Sequence, residues 1–234
     1  MTTETKRCLI TGASRGIGRA MAERLAREGM LLLLHGRDQE ALVEVFTAVE
    51  DRGGKAEIIV ADLYEDDGIE KLIQEASKER LDILINNAGA AIVKPLADLT
   101  LDDWQDMLDM NVTLPFRLVQ ALLPAIPKGG SIVNIMSVAA RHGFPGWHGY
   151  CASKFALEGL SQVLRAELRS EGIRVINIYP AATATELWEN VEGDWPVDEM
   201  MDPAEVAEAV AYALSRPAGI LADNIDVGNL SGNF

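Results

Sequence analysis

The 234-residue sequence predicts an α/β fold built on one doubly wound parallel sheet, and three observations lead there. Short, nearly continuous apolar runs recur along the chain. Longer segments with apolar residues at helical spacing separate them. No linker, internal repeat or low-complexity tract interrupts the alternation, so residues 1–234 are expected to form a single domain. Strands covered by helices on both faces need apolar residues at successive positions, which such runs supply. Repeated βα units with right-handed crossovers then wind the sheet outwards.

In chain order, residues 8–10, 30–34, 58–60, 83–85, 132–135 and 175–178 read as strands. Residues 17–28 read as the first helix. Residues 38–52 read as another, with Asp38 as its N-cap and Gly53-Gly54 as its stop. Thr100 caps a helix that starts at Leu101 and carries Trp104, Met107 and Leu108 at helical spacing. A long helix over 150–170 runs into Glu171-Gly172, and one over 204–214 follows Pro203, which suits a first turn. Residues 181–201 break the order with Trp188, Trp195 and Pro196, and read either as a mobile lid or as an irregular loop.

Composition narrows the partners. With 21 Lys and Arg against 36 Asp and Glu, the net charge is -15, which excludes the basic footprint needed for nucleic acid or an anionic membrane. Apolar residues make up 48% of the chain, enough for a sizeable core. Cys8 and Cys151 sit in apolar or small-residue runs and suggest buried fillers rather than a disulfide or metal site. Lys6 and Arg7 precede an apolar run too short for a targeting segment, and the run over 30–34 is strand-length, so no membrane span is expected. These features fit a reduced, cytoplasmic setting.

The first chemical signal is the turn Thr11-Gly12-Ala13-Ser14-Arg15-Gly16-Ile17-Gly18, between the first strand and the first helix. Glycines there permit a tight turn and a close approach of backbone to a pyrophosphate, whose charge rests on the helix N-terminus. At the end of the second strand, a cofactor with a free adenosine ribose usually meets a carboxylate. This chain reads His35-Gly36-Arg37. Gly36 leaves room, while Arg37 and Arg15 supply guanidinium groups that recognise phosphate by paired hydrogen bonds. NADP(H) is therefore the expected cofactor.

The second signal is a set of polar residues further on. Tyr150 and Lys154 lie four apart and share a helix face. A free phenol has a pKa of about 10, and a neighbouring ammonium is expected to lower it towards the range of general acid–base work. Ser137, at a strand's C-terminal end, is placed to steady charge on a substrate oxygen, where ligands sit in open α/β sheets.

Taken with Asn86-Asn87-Ala88-Gly89, these motifs resemble the short-chain dehydrogenase/reductase family in its small, single-domain, Rossmann-like branch. The resemblance runs from Thr11 to about Thr185. It implies that Tyr150 is the general acid or base, that Lys154 lowers its pKa and bonds the nicotinamide ribose, and that Asn111 helps a water chain resupply protons. It further implies that Asp62 and Leu63 meet adenine, that Asn87, Ala88 and Gly89 line the adenosine side, and that Pro180, Thr183 and Thr185 hold the carboxamide. The reaction implied is hydride transfer between nicotinamide and a carbonyl or alcohol carbon.

The chain departs from the family at Pro180-Ala181, where glycine usually follows proline. Alanine is costly there if a positive φ is needed and tolerated if only smallness matters. Residues 223–234 also lack a match to the usual ending. Val138, Ala139, Phe144, Trp147, Leu187 and Trp188 suggest an apolar wall and a neutral, moderately hydrophobic substrate, with His148 either bonding it or merely structural. The resemblance places subunit-pairing helices around 104–123 and 153–170, implying a homo-oligomer, dimer or tetramer. A non-catalytic NADP(H)-binding regulator on the same fold is the rival reading.

Overall fold

The computed structural model describes residues 5–230 apart from 192 and 218. Residue 192 of the 181–201 segment and residues 231–234 of the C-terminal segment therefore lie outside the described residues. The six apolar runs become strands β1 (Lys6–Ile10), β2 (Met30–Gly36), β3 (Lys55–Val60), β4 (Ile83–Asn86), β5 (Ser131–Ile135) and β6 (Arg174–Pro180). A seventh strand that the sequence reading missed, β7 (Asn224–Val227), pairs with β6. Its alternate residues Asn224 and Asp226 are exposed, so it has no apolar run to betray it.

All pairings are parallel, in the order β3-β2-β1-β4-β5-β6-β7. The chain winds from β1 to one edge, then returns to place β4 on the other side of β1. That reversal leaves a crevice at the C-terminal ends of β1 and β4, where ligands bind in open sheets.

Strand periodicity divides the core in two. Cys8 and Ile10 face one side, with Leu32, Leu34, Ile83, Ile85 and Val133. Helices α1 (Gly16–Leu25), α2 (Gln39–Asp51) and α7 (Pro203–Leu214) cover them through Met21, Leu42, Val45, Val206 and Val210. Leu9, Leu33, Leu84, Ile132 and Val175 face the other side, against α3 (Asp66–Ser77), α5 (Leu114–Leu122) and the end of α6 (His148–Leu168). Because successive side chains alternate faces, a one-residue slip in β1 would exchange the two cores, so burial fixes the register.

Helix ends largely follow their signals. Asp38 caps α2 by accepting from the N–H groups of Glu40 and Ala41. Thr100 and Asp103 form a reciprocal capping box on α4 (Leu101–Leu108), which satisfies two otherwise unpaired donors. The first helix stops three residues short of expectation, at Leu25, and the turn to β2 closes through Gly29 at φ 78°. Between α4 and α5 the helix widens into one π turn, Asp109–Thr113, which carries Asn111.

One buried polar row crosses the apolar sheet. Asn86, Asn134 and Asn177 stand in register on β4, β5 and β6, with Asn224 beside them on β7. Asn86 Nδ2 donates to Asn134 Oδ1 at 2.8 Å, and Asn134 Nδ2 donates to Ser161 Oγ at 2.8 Å and Asn177 Oδ1 at 3.3 Å. Asn134 thus holds the row to α6. Asn134→Leu strands several buried polar groups, each costing about 1–3 kcal/mol. Urea unfolding is expected to show a loss of about 3 kcal/mol or more, and a loss below about 1 kcal/mol would contradict this role.

Candidate active site

The crevice is a cleft of about 880 Å³. At one end lies the turn between β1 and α1. Gly12 and Gly16 adopt φ 67° and 53°, and a Cβ on Gly12 would stand 3.2 Å from the Ala88 backbone. α1 starts with no side-chain cap and no acidic residue in its first turn. Its free N–H groups and positive dipole end therefore open on the cleft, a donor set that suits a pyrophosphate.

Of the expected cofactor residues, Gly12, Ser14, Arg15, Gly16, Ile17, Gly36, Arg37, Asp62, Leu63, Asn87, Ala88, Gly89, Pro180, Thr183 and Thr185 all line this cleft. Gly18 does not. A Cβ there would lie 1.9 Å from the Gly12 carbonyl oxygen, so this glycine allows the helix to pack on the turn rather than meeting a ligand. Asn87 also works inward: its Nδ2 donates to the Thr11 and Gly12 carbonyls at 2.9 and 3.1 Å. Thr11 Oγ1 accepts from the N–H groups of Asn87 and Ala88 and donates to the Ile85 carbonyl, tying the ends of β1 and β4 together.

At the end of β2, Arg37 lies on the Tyr64 ring, 5.7 Å from its centroid, with Nη1 3.9 Å from Asp62 Oδ2. Asp38, the nearest carboxylate along the chain, spends Oδ1 on capping α2. Gly36 eases a crowded corner, since a Cβ would stand 3.2 Å from Ser14 Cβ. Tyr64 lines the cleft and was missed by the sequence reading; its place two residues after Asp62 was the available signal.

At the other end, Ser137, Tyr150 and Lys154 converge, and Asn111 lies nearby. Ser137 Oγ accepts from the Ala139 N–H at 3.1 Å and lies beside Tyr150 in the cleft lining. Lys154 Nζ, buried, donates to the Ile135 carbonyl at 2.9 Å and stands 5.6 Å from the Tyr150 ring centroid. Burial pushes the lysine down to about 8. Burial also pushes Tyr150 up to about 12, with the neighbouring Ser137 hydroxyl acting in the opposite direction. This departs from the expected lowering of the tyrosine: desolvation is the largest influence on the phenol, and the Lys154 ammonium bonds the Ile135 carbonyl.

Asn111 is buried, and its side chain is fully employed. Oδ1 accepts from the Ala90 N–H at 3.0 Å, while Nδ2 donates to the Ala90 carbonyl at 2.8 Å and Ser153 Oγ at 2.9 Å. The π turn thereby clamps the segment after β4 to α6. Gly89 is small for the same reason, because its Cβ would lie 2.8 Å from Asn111 Oδ1.

Ala181 resolves the departure at Pro180-Ala181. Every positive φ among the described residues belongs to a glycine, so Ala181 needs none. Its N–H donates to the Val227 carbonyl at 2.8 Å, which makes β7 the support for this corner. The 181–201 segment is pinned at both ends, by Met201 donating to Ala182 and accepting from Ala184. Trp188 Nε1 donates to the Thr183 carbonyl at 2.8 Å. His148 starts α6 outside the cleft lining, in keeping with a structural role. Trp195 and Glu186, by contrast, line the cleft and were not among the expected wall residues.

The family model for the short chain dehydrogenases matches residues 6–195. The chain belongs to the short-chain dehydrogenase family. Among its family relatives, a 3beta-hydroxysteroid dehydrogenase of Mediterraneibacter gnavus is 37% identical over 82% of this chain and 71% of that protein. A 3-oxoacyl-[acyl-carrier-protein] reductase of Synechocystis is 34% identical over 90% and 89%. The crystal structure of landomycin C-6 ketoreductase LanV with bound NADP and rabelomycin superposes with a TM-score of 0.85, at 32% identity and 98% coverage of both chains. This short-chain dehydrogenase is thus an oxidoreductase of a family that takes nicotinamide cofactors. No helix among its described residues is long and apolar enough to cross a membrane.

His35 links the cofactor end to stability. Its buried ring accepts at Nδ1 from the Gly12 N–H at 3.3 Å and donates from Nε2 to the Ala61 carbonyl at 3.2 Å, which requires the neutral form. Burial pushes its pKa from 6.5 down to about 4. Between those values the unfolded chain binds a proton that the folded chain refuses. Its contribution is therefore complete above about pH 6.5 and declines as pH falls towards 4, by up to about 3 kcal/mol. The stability gap between wild type and His35→Gln is expected to narrow over that window in urea titrations. A gap independent of pH would contradict the assignment.

Proposed function

We propose that the protein is an NADP(H)-dependent oxidoreductase that interconverts a carbonyl and an alcohol, with Tyr150 as general acid and base. The observation that carries this reading is the convergence of Ser137, Tyr150 and buried Lys154 in the same cleft as the open N-terminus of α1. NADPH, when bound, supplies the hydride that forms the new C–H bond. The turn of Gly12 to Ile17 would hold its pyrophosphate, Asp62 and Leu63 its adenine, Thr183 and Thr185 its carboxamide, and Lys154 its ribose. Arg37 and Arg15 would meet the 2′-phosphate. On the β2 side Arg37, Asp38 and Asp62 line the cleft, and a phosphate there would compete with Asp62 for Arg37.

With its pKa raised, Tyr150 carries its proton at neutral pH, the form required for reducing a carbonyl. As the C=O π bond opens, Tyr150 donates that proton to the oxygen, and Ser137 donates a hydrogen bond to the same atom. The phenolate left behind, stabilised by the Lys154 ammonium, regains a proton from solvent. Asn111 positions Ser153 and α6, on which Tyr150 and Lys154 stand, and would thereby keep the path for that proton open. A second copy of the chain is the expected partner. Phe116 on α5 and Phe155 and Val163 on α6 are about half exposed, which supports an apolar pairing face. Two unpaired, buried cysteines fit a reducing, cytoplasmic setting.

The test is oxidation of NADPH and NADH against a panel of aldehydes, ketones and 3-oxoacyl thioesters. Tyr150→Phe is expected to lower kcat by about 100-fold or more with NADPH binding intact. Arg37→Ala is expected to weaken NADPH by about 10-fold or more while leaving NADH unchanged. Tight NADPH binding without turnover on any compound would favour the regulatory reading, and equal losses for both cofactors would refute the NADP preference.

A further inference from the structure

Beside Tyr150 three indole rings meet. Trp147 lies 5.4 Å from the Tyr150 ring, 5.7 Å from Trp188 and 5.8 Å from Trp195, all edge to face. Trp188 and Trp195 stand 5.0 Å apart at 48°. All three line the cleft, so an aromatic wall begins directly beside the Tyr150 ring. We infer that this cluster is the seat of a flat, uncharged aryl ring joined to the reacting carbonyl, so that aryl ketones and aryl aldehydes are the substrate class. The inference rests on the carbonyl chemistry proposed for Tyr150.

The wall is built from two separate parts of the chain. Trp147 precedes α6, while Trp188 and Trp195 come from the pinned 181–201 segment. Trp188 is held by its bond to the Thr183 carbonyl. Trp195 is seated by Gly193, at φ 141°, where a Cβ would stand 2.8 Å from its Nε1. The segment therefore gives up a side chain in order to place an indole.

Charge and ring electronics select the occupant. The guanidinium groups lie at the other end of the cleft, and the Lys154 ammonium is buried below Tyr150, bonded to the Ile135 carbonyl. Among the described residues no guanidinium lines this end to pair with a carboxylate, sulfonate or phosphate-bearing thioester. A ring conjugated to a carbonyl is electron-poor, whereas an indole face is electron-rich, and such quadrupoles attract in offset and edge-to-face arrangements. A saturated ring of the same size fills the space without that attraction.

Acetophenone and cyclohexyl methyl ketone isolate this difference, being alike in size and functional group. The wild type is expected to reduce acetophenone with a kcat/KM at least about fivefold higher. That ratio should fall towards unity in Trp195→Leu and in Trp147→Leu, while NADP⁺ affinity is unchanged. Binding is read separately by tryptophan emission in a Trp104→Phe background, which leaves only the three cleft indoles. Acetophenone should quench it saturably in the NADP⁺ complex, and cyclohexyl methyl ketone should compete weakly. A wild-type ratio near unity, or a ratio preserved in both variants, would overturn the inference. Saturable quenching that is lost in Trp195→Leu, with neither ketone reduced, would refute the carbonyl chemistry and uphold the ring site.

Discussion

Where α1 leaves β1, two stretches of backbone come so close that a Cβ on Gly18 would stand 1.9 Å from the Gly12 carbonyl oxygen. That approach turns the N-terminus of α1 into the crevice between β1 and β4. Neighbouring groups then lock it from three directions. Asn87 reaches across from the end of β4 to the Thr11 and Gly12 carbonyls, His35 from β2 accepts from the Gly12 N–H, and the Thr185 methyl lies 3.1 Å from where a Gly16 Cβ would be. Each of these residues sits at the C-terminal end of a strand or just beyond it. The parallel sheet brings them to one place, and small residues let them touch.

Burial then decides the chemistry at the other end of the cleft. The same exclusion of water raises the proton affinity of Tyr150 and lowers that of Lys154. Both shifts favour uncharged forms, so the resting pair is closer to a neutral acid beside a weakly held ammonium than to a phenolate. Charge that develops on a substrate oxygen is met by fixed donors in a dry site, where hydrogen bonds act most strongly. Asn111 contributes by geometry: a π turn pushes its amide into the space between the segment after β4 and α6, where it fills every bond it can make there.

Much of this was legible in the amino-acid sequence. Buried parallel strands announce themselves by apolar runs, caps by Asp38 and Thr100, and the cofactor turn by glycines at 12 and 16. What escaped did so for physical reasons. β7 alternates exposed polar positions at an edge and is recruited by pairing with β6 rather than by its own hydropathy. Gly18 looks like a ligand-binding glycine because packing and binding both call for the missing Cβ. The direction of the Tyr150 shift depends chiefly on desolvation, which spacing does not reveal. Tyr64 and Trp195 join the cleft only through tertiary placement of loops whose composition carries no periodic signal.

The central claim is that a hydride passes to a carbonyl carbon within this cleft while Tyr150 protonates the oxygen. Turnover with NADPH deuterated at the nicotinamide C4, on the transferred face, examines that step directly. The account predicts an alcohol with one deuterium at the carbinol carbon and a solvent-derived hydrogen on its oxygen, in wild type and not in Tyr150→Phe. An alcohol whose carbinol hydrogen comes from solvent would contradict it.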